Sequence, residues 1–403
     1  MKRNSLIFVI VIAISVIVAS LILSAAVTTK DVNKALEPFY QTLSYILNAY
    51  YQKDDINLNK LMDSAIDGLV KGLGDDFSYY ENPEGVEEKQ IEMEGEYGGL
   101  GIEVTYDSEY KAVKVVSPMY GTPAWRAGLK AGDRIVSIDD EPVSEMEYME
   151  AVRKLRGQPG TTVRIKILRD GVDSLLTFEL VREKIQIIPV KHAFVETTKG
   201  RIGYTLITRF GAKTSEEMAE ALNDIFARGV KGLILDLRDN PGGYLNSAIE
   251  VASYFIDKGV VVKTKNGYGI EEVYESKGNN YPNVPIVVLV NKGSASASEI
   301  LTGALKDYEI AKIVGEKTFG KGSVQTGFPL SNGGTLYLTT AHYMTPSGKD
   351  IHKIGIEPDV YVEEATTTKR ESAAVDYTKK IIEIDMGDPY IVKGLEVLLG
   401  MIK

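Results

Sequence analysis

Three serines lie where the chain passes from a strand to a helix, and they are the candidates for nucleophilic chemistry. Ser294, Ser296 and Ser298 follow a short β-branched run at 286–290, which predicts a buried strand. Helix-forming residues come after the serines, so the turn places free backbone N–H groups beside a projecting hydroxyl. Acyl-transfer chemistry uses a serine in this position. The spacing alone does not choose among the three.

A serine nucleophile needs a base, and lysine is the better candidate in this chain. His192, His342 and His352 lack the neighbours of a catalytic triad, which favours structural or exposed roles for them. Lys321 can lose its proton if burial lowers its pKa from about 10.4. It could then act as a general base. The alternative is that Lys321 is a solvated cation on a loop.

The serines and the lysine fall in a stretch that alternates strand and helix between about 183 and 362. Strands are predicted at 202–206, 232–237 and 286–290, and helices at about 214–226, 245–255 and 296–306. This βα repeat predicts a largely parallel sheet, whose ligands bind beyond the carboxyl ends of the strands. Both the 239–243 turn and the 294–298 turn lie at that edge.

Further helices are predicted from caps and apolar spacing. Ser144 with Glu147, and Thr214 with Glu217, fit the capping-box pattern, the first for a helix to about Leu155. Apolar residues at helical spacing within 31–73 predict a hairpin of two helices, packed on its own core or on a partner chain. Residues 75–94 are acidic and loop-like, with a turn at Asn82-Pro83. A tail helix starts at Asp388-Pro389 and must dock, because it is too short to be stable alone.

Residues 95–182 differ in pattern from the βα repeat, because they predict short strands joined by glycine-containing loops. The run from Ala127 to Ile135, Ala-Gly-Leu-Lys-Ala-Gly-Asp-Arg-Ile, resembles the PDZ domains of bacterial proteases. The resemblance implies a groove between the second strand and the helix that ends near Leu155. An extended peptide adds there as a strand, and loop amides take its C-terminal carboxylate. The implied peptide-binding residues are Gly98, Gly99, Leu100, Gly101 and Ile102. The alternative for these glycines is a plain turn.

The N-terminus predicts a location at the cell membrane. Lys2 and Arg3 precede an uncharged run at 5–27 that can span a bilayer as one helix. The flanking positive charges place the N-terminus inside and the catalytic part outside the cytoplasm, periplasmic or extracellular. A cleaved signal peptide, with Ser24-Ala25-Ala26 before the cut, is the alternative.

Composition excludes several classes of function. The 403 residues allow two or three domains, and a net charge of −10 argues against nucleic-acid binding. The absence of cysteine removes disulfides, thiol nucleophiles and cysteine-zinc sites. With three histidines in the chain, a histidine-rich metal site is not expected. We expect neither a metal nor a cofactor.

Four long motifs resemble the carboxyl-terminal processing proteases, the tail-specific serine proteases of peptidase family S41. They are Asp-Leu-Arg-Asp-Asn-Pro-Gly-Gly at 236–243, Gly-Ser-Ala-Ser-Ala-Ser-Glu-Ile at 293–300, Thr-Phe-Gly-Lys-Gly-Ser-Val-Gln at 318–325, and Thr-Pro-Ser-Gly-Lys with Gly-Ile-Glu-Pro-Asp within 345–359. The resemblance covers about residues 30–362. It places the family's catalytic serine on Ser296, its lysine on Lys321 and its glutamine on Gln325.

This resemblance implies a Ser–Lys dyad in which Gln325 orients the lysine. The oxyanion hole would use the N–H of Ala297 and one from Gly242 or Gly243. The implied activity is that of an endopeptidase that recognises protein C-termini through its PDZ domain and processes or degrades envelope proteins. The terminal helices suggest a homodimer or higher oligomer.

The implied fold is α/β and multidomain: a βα core of the ClpP/crotonase type, an inserted α+β PDZ domain, and N- and C-terminal helical segments. The predicted boundaries are 1–27 for the anchor, 28–94 for the helical region and the start of the core, 95–182 for the PDZ domain, 183–362 for the core, and 363–403 for the linker and tail.

Two other functions are compatible with parts of the sequence. One is nucleotide binding, because residues 315–321 match the first seven positions of a phosphate loop. Gly322 replaces the required Ser or Thr, and Gly327 and Pro329 argue against the helix that a phosphate loop needs. The other is a proteolytically inactive PDZ scaffold in the envelope. The intact set of Ser296, Lys321 and Gln325 argues against that alternative.

Overall fold

The computed structural model of the protein describes residues 29–119, 121–278, 281–362 and 380–402. The chain divides into two compact units, residues 1–72 and 73–403. The predicted membrane span at 5–27 and the predicted linker that begins at 363 lie outside the described residues. Among the helices of the described ranges, none is both long and apolar enough to cross a bilayer.

The first unit contains two helices, as the apolar spacing predicts. They are α1 (Thr29–Ala49) and α2 (Leu58–Lys71), and a 3₁₀ turn (Lys53–Asp55) lies between them. The side chain of Asn57 caps α2 by accepting a hydrogen bond of 3.0 Å from the N–H of Lys60. Phe39 and Tyr40 of α1 are exposed. The unit therefore does not bury the apolar stripe of α1 in a core of its own.

The second unit is built from strands and helices in alternation. Its strands are β1 (Tyr79–Glu81), β2 (Glu96–Gly99), β3 (Ile102–Asp107), β4 (Ala112–Pro118), β5 (Arg134–Ile138), β6 (Glu141–Pro142), β7 (Thr162–Leu168), β8 (Leu176–Val181), β9 (Glu183–Gln186), β10 (Val190–Thr197), β11 (Gly200–Ile207), β12 (Gly232–Asp236), β13 (Val260–Asn266), β14 (Glu271–Glu275), β15 (Ile286–Val290), β16 (Ala311–Gly315), β17 (Ser323–Pro329), β18 (Thr335–Met344) and β19 (Val360–Tyr361). Its helices are α3 (Pro83–Glu94), α4 (Pro123–Arg126), α5 (Tyr148–Leu155), α6 (Thr214–Ala227), α7 (Leu245–Ser253), α8 (Ala297–Asp307) and α9 (Pro389–Met401).

A six-stranded sheet forms the core of this unit, in the order β10-β11-β12-β15-β16-β19. Every neighbouring pair is parallel except β10 with β11, as the βα repeat predicts. Alternate residues of the central strands face opposite layers: Leu233 and Leu235 pack with α6, α7 and α8, whereas Ile234 packs with α9. Because both faces are covered, β12 and β15 are buried throughout, and Asp236 at the end of β12 is their one polar residue.

An ion cluster fastens α9 to the end of β12. The Arg238 guanidinium donates to both carboxylate oxygens of Asp236 and, at 2.8 and 2.9 Å, to both of Asp388. Burial alone would raise the pKa of Asp236, but the guanidinium holds that pKa below its ordinary value. Asp388 also accepts the N–H of Tyr390 at 2.9 Å and so caps α9. The predicted start of the tail helix is confirmed, and the helix is docked.

A second, antiparallel sheet lies in the same unit, in the order β1-β18-β13-β14. The long strand β18 carries β17 along one edge and shares its other edge between β1 and β13. Residues 79–81 therefore belong to the sheet that carries the lysine segment. The loop predicted over 75–94 is wrong, because 83–94 forms α3. Asn82 accepts the N–H of Gly85 at 2.8 Å, and Pro83 occupies the first helical position, so the supposed turn is a helix N-cap.

Residues 100–181 form a third sheet, in the order β3-β4-β5-β7-β8, with β6 on β5 and α5 packed on it. The short ribbon of β2 with β9 lies where this domain leaves and rejoins the core. The capping box predicted at Ser144 is wrong. Val143 is buried in the domain core, which turns 143–145 into a 3₁₀ helix, and Met146 is extended, so α5 starts only at Tyr148.

The capping box predicted at Thr214 is also wrong. Lys213 is the N-cap residue of α6, and Thr214 is already helical. The Thr214 hydroxyl donates to the carbonyl of Arg209 and accepts the N–H of Gly211, both at 2.9 Å. The Glu217 carboxylate accepts from the N–H of Val190, at 3.3 Å, and not from the cap.

Candidate active site

Ser296 sits on a strained elbow between β15 and α8. Its backbone has φ +55° and ψ −114°, a conformation that residues with a Cβ avoid. Such strain costs about 1–3 kcal/mol and persists only when the surroundings enforce it. Here the Glu299 side chain accepts the Ser296 N–H at 2.9 Å, and the Ser296 side chain caps the helix in return. A true capping box therefore holds the elbow.

The structure separates the three serines that spacing could not. Ser294 Oγ donates to the carbonyl of Leu237 at 2.8 Å, and Ser298 Oγ donates to the carbonyl of Asn240 at 2.9 Å. Both hydroxyls thereby fix the serine turn to the 237–240 loop. Apart from its part in the capping box, Ser296 Oγ has one long contact, 3.4 Å to the hydroxyl of Tyr343. The Ser296 hydroxyl is therefore the one not held by a backbone carbonyl.

The glycine turn after β12 presses against this elbow. A Cβ on Gly242 would lie 2.8 Å from Ser296 Cβ and 2.9 Å from the Ala297 nitrogen, and its φ of +102° requires glycine. The N–H of Gly242 donates to Asn240 Oδ1 at 2.9 Å, so it is already occupied. Within the described ranges, the N–H groups of Gly243 and Ala297 have no acceptor. Of the predicted oxyanion donors, these two are the ones left free for a ligand.

Lys321 precedes β17, and its backbone is linked to the Ser296 elbow by the Glu299 side chain. Its N–H donates to Glu299 Oε2 at 2.8 Å. Burial lowers the pKa of its ammonium, as a general base would require. In the part of the chain that the structure describes, no hydrogen bond or ion pair holds the amine, and its nitrogen lies 5.8 Å from the centroid of the Phe77 ring. Lys321 is half-buried, so the solvated-loop alternative does not fit.

Gln325 lies on strand β17. Its side-chain amide donates to Ser323 Oγ at 2.8 Å and to Thr339 Oγ1 at 3.3 Å. A direct hydrogen bond to Lys321 is not among its contacts in the described chain. Because 323–329 is a strand, the helix that a phosphate loop would need is also missing after residue 321. The nucleotide-binding alternative therefore fails on the structure.

The histidines form contacts of other kinds. His192 Nε2 lies 2.9 Å from Asp224 Oδ2, at the sheet's β10 edge. The ring centroids of His342 and His352 lie 4.3 Å apart with the rings tilted by 31°, and His352 also meets Phe77 edge to face. Burial lowers the pKa of His352. None of the three bonds to a serine of the turn within the described residues.

A groove of about 290 Å³ lies between β3 and α5, as the PDZ resemblance implies. It is lined by apolar and aromatic residues: Tyr97, Ile102, Val104, Met119, Tyr148, Met149, Val152 and Ile187, with Arg156 at one side. β3 is the end strand of its sheet, so its outer edge is open for another strand. The Tyr148 hydroxyl on α5 bonds the carbonyl of Val104 at 3.1 Å, across the groove.

The glycine loop that leads into the groove divides into two parts. Gly98 and Gly99 pair with β9, and a Cβ on Gly98 would collide with the carbonyl of Gly157 at 2.0 Å. Leu100 is buried, and Gly101 has φ +71°. In the described chain the N–H groups of Leu100 and Gly101 donate to nothing, so they can receive a carboxylate.

Comparisons with known proteins match this architecture. The model of peptidase family S41 matches residues 201–362, and a PDZ-domain model matches 114–169. The chain is 43% identical to a carboxy-terminal-processing protease of Bartonella bacilliformis, over 77% of this chain and 71% of that protein. It is 35% identical to the carboxy-terminal processing protease CtpA of Bacillus subtilis, over 94% of this chain and 82% of that protein.

This chain belongs to the carboxyl-terminal processing proteases of peptidase family S41. A solved structure assigned to the S41 proteases in Bacteroides fragilis shares the fold, with a TM-score of 0.50 at 15% identity over 84% of this chain and 90% of that one. The predicted fold class, an S41 protease core with a PDZ domain, is confirmed, and so is the predicted enzyme class.

Two residues of this protease's site were missed at the sequence level. Glu299 joins the elbow to the lysine segment, and its signal was present, because Ser296-x-x-Glu299 is itself a capping-box pattern. Tyr343 lies on β18 and meets Ser296 across 47 residues of sequence. Nothing in the local pattern around Tyr343 points to that contact.

Proposed function

We propose that this protease is a serine endopeptidase with a Ser–Lys dyad, in which Ser296 is the nucleophile and Lys321 the general base. The observation that carries the proposal is the difference among the three serines. The hydroxyls of Ser294 and Ser298 donate hydrogen bonds to backbone carbonyls. Ser296 instead projects from a positive-φ elbow, beside the unbonded N–H groups of Gly243 and Ala297. A nucleophile next to a preformed oxyanion site has this arrangement.

In the proposed reaction, Ser296 Oγ attacks the scissile carbonyl and its proton passes to the neutral amine of Lys321. The N–H groups of Gly243 and Ala297 bind the oxyanion, and one such donor contributes about 3–4 kcal/mol to the transition state. Lys321 then protonates the leaving amine. Water, activated by the same lysine, releases the acyl group from Ser296.

Lys321 must move to reach the nucleophile, because no hydrogen bond joins its amine to Ser296 Oγ in the described chain. Catalytic hydrogen bonds are often long or absent without substrate and tighten in the complex. The flexible four-carbon stem of lysine permits the movement. The carbonyl oxygen of Gln325 is the proposed acceptor that then orients the amine, because the amide nitrogen of Gln325 is already fixed by Ser323 and Thr339.

We further propose that the PDZ groove selects substrates by their free C-termini. The support is an open strand edge on β3, an apolar groove, and the unbonded N–H groups of Leu100 and Gly101 at its end. The uncharged run at 5–27 supports a single-pass anchor with the catalytic part outside the cytoplasm, so envelope proteins would be the substrates. The exposed apolar residues of α1 support a homodimer or higher oligomer.

The serine assignment is tested by three alanine variants of the full chain, assayed on a peptide with a free carboxylate. Ser296→Ala should abolish cleavage. Ser294→Ala and Ser298→Ala each lose one buried hydrogen bond, about 1 kcal/mol of stability, and should stay active. Equal loss in all three, or a fully active Ser296→Ala, would remove Ser296 as nucleophile.

The same assay tests the alternative of an inactive PDZ scaffold. A scaffold would bind peptides with a free carboxylate and cleave none of them in any variant. An amidated version of the peptide should be turned over more slowly by the wild-type protease. Equal rates for the acid and the amide would exclude carboxylate reading by the groove, without touching the serine assignment.

The lysine assignment is tested by pH. Because burial lowers the pKa of Lys321, kcat/KM should rise with pH along one limb that reports the free enzyme's lysine. Lys321→Ala should be inactive, and Lys321→Arg should not rescue it, since arginine stays charged. An Arg variant with wild-type activity would make residue 321 a fixed charge and would end the general-base assignment.

A further inference from the structure

Glu299 is a buried carboxylate to which the dyad assigns no role. Its side chain is fully buried at the first turn of α8. The charged residues of the described chain form no ion pair with it. A carboxylate in such a place is costly unless hydrogen bonds replace its water, so its contacts indicate what keeps it there.

Four donors converge on this carboxylate, two on each oxygen. Oε2 accepts the N–H of Ser296 at 2.9 Å and the N–H of Lys321 at 2.8 Å. Oε1 accepts the hydroxyl of Thr318 at 2.6 Å and the N–H of Gly320 at 2.8 Å. One oxygen atom thus holds the backbone of the proposed nucleophile and the backbone of the proposed base.

The donors also define the protonation state that the network needs. The three N–H groups cannot accept a proton. The Thr318 hydroxyl accepts the N–H of Ile356 at 2.7 Å and donates its own proton to Glu299. Burial raises the pKa of Glu299, and the four donors oppose that effect. Four donors match the four acceptor positions of an ionised carboxylate, which is the form that this network suits.

We propose that Glu299 is a positioning residue for catalysis, which sets the distance between the Ser296 elbow and the Lys321 segment. The elbow has a backbone conformation that its sequence does not favour, and the lysine segment between β16 and β17 has no regular structure of its own. The carboxylate is the contact that the two share. The inference rests on the proposed dyad and adds to it the part that holds its two members in register.

Glu299→Gln is the direct test, because it keeps the shape and removes the charge. An amide has one accepting oxygen, so at least one pair of donors would face an NH₂ group. We expect kcat to fall about 10- to 100-fold with KM changed less than about twofold, because the groove that binds the C-terminus is untouched. Labelling of Ser296 by a fluorophosphonate should slow by a similar factor.

Asp307→Asn is the matched control. Asp307 is at the other end of α8 and likewise accepts a backbone N–H, that of Ser347 at 2.9 Å. It should lose stability and keep kcat within about twofold. If Glu299→Gln fails to fold, the pair Thr318→Val and Thr318→Ser replaces it. The valine removes one donor to Glu299 and should lower kcat, and the serine restores the hydroxyl and should restore kcat.

The outcomes separate this inference from the proposed function. If Ser296→Ala is inactive and Glu299→Gln keeps wild-type kcat and labelling rate, Glu299 has no positioning role and the dyad stands. A folded Glu299→Gln that loses affinity for the peptide at unchanged kcat would also overturn the inference. If Ser296→Ala is active, the dyad itself fails, and the role of Glu299 fails with it.

Discussion

Gly242→Ala places one methyl group against the nucleophile elbow. The new Cβ would lie 2.8 Å from the carbonyl oxygen of Ala295, 2.8 Å from Ser296 Cβ and 2.9 Å from the Ala297 nitrogen. Two of these three atoms belong to backbone that cannot rotate away, so the elbow itself must shift. The variant therefore displaces the serine and an oxyanion donor without removing any polar side chain.

The magnitude follows from two contributions. A Cβ at φ +102° adds strain of about 1–2 kcal/mol, and overpacking against three atoms adds about 1–3 kcal/mol more. The free energy of unfolding should therefore fall by about 2–5 kcal/mol. A displacement of the nucleophile approaching 1 Å costs about 100-fold in rate, so we expect kcat/KM to fall by about that factor.

Gly229→Ala is the control that has the backbone strain of an alanine at positive φ but no steric contact of the new Cβ. Gly229 follows α6 in the same core, has φ +68°, and has open space where its Cβ would be. It should lose about 1 kcal/mol of stability and no activity. Urea denaturation and peptide cleavage measured on both variants give the comparison. Wild-type kcat/KM in Gly242→Ala would show that the glycine turn does not shape the site, and the reasoning from its close contacts would be refuted.

Two other variants test the chain away from the catalytic serine. Burial raises the pKa of Glu217 to about 7, so the folded state binds more protons than the unfolded one and the free energy of unfolding should fall as pH rises from about 4.5 to 7. Glu217→Gln should remove about 1–3 kcal/mol of that fall, measured by urea denaturation at both ends of the range; an unchanged slope contradicts the assignment. Tyr148→Phe removes the hydroxyl that occupies the Val104 carbonyl, so an acid-terminated peptide should bind Ser296→Ala protease about 2- to 10-fold tighter by fluorescence anisotropy. Weaker binding would show that this hydroxyl holds the peptide.

The strand at 286–290 could be predicted from the sequence, whereas helix starts that depend on long-range contacts could not. The strand at 286–290 is where the apolar run predicted it, because a buried parallel strand is continuous in its own pattern. The capping box at Ser296 is not among the predicted ones, and the two predicted at Ser144 and Thr214 are wrong. In each false case a tertiary contact outweighs the local pattern: Val143 enters a core, and the Thr214 hydroxyl bonds a loop.

The site was predicted in its parts and not in its assembly. Motifs supplied Ser296, Lys321 and the glycine turn. The N–H of Gly242 is occupied by the side chain of Asn240, two residues before it, and the motif by itself does not show that bond, so the choice of Gly243 over Gly242 needed the structure. The resemblance implies that Gln325 orients Lys321, and the structure places Gln325 on a strand. Its strand geometry is fixed by pairing with β18, which no local pattern around Gln325 reveals.

The ion pair between Arg238 and Asp388 also bears on the order in which the protein is assembled during synthesis. The two residues are 150 positions apart, and ribosomes add about 5–20 residues each second. Arg238 therefore emerges roughly 8–30 seconds before its second carboxylate has been made. Ser296 and Lys321 are both made within that interval, before Asp388 and the helix that it caps. The covering of this face of the sheet by α9 is therefore a later step in the assembly of the protein than the synthesis of the proposed dyad.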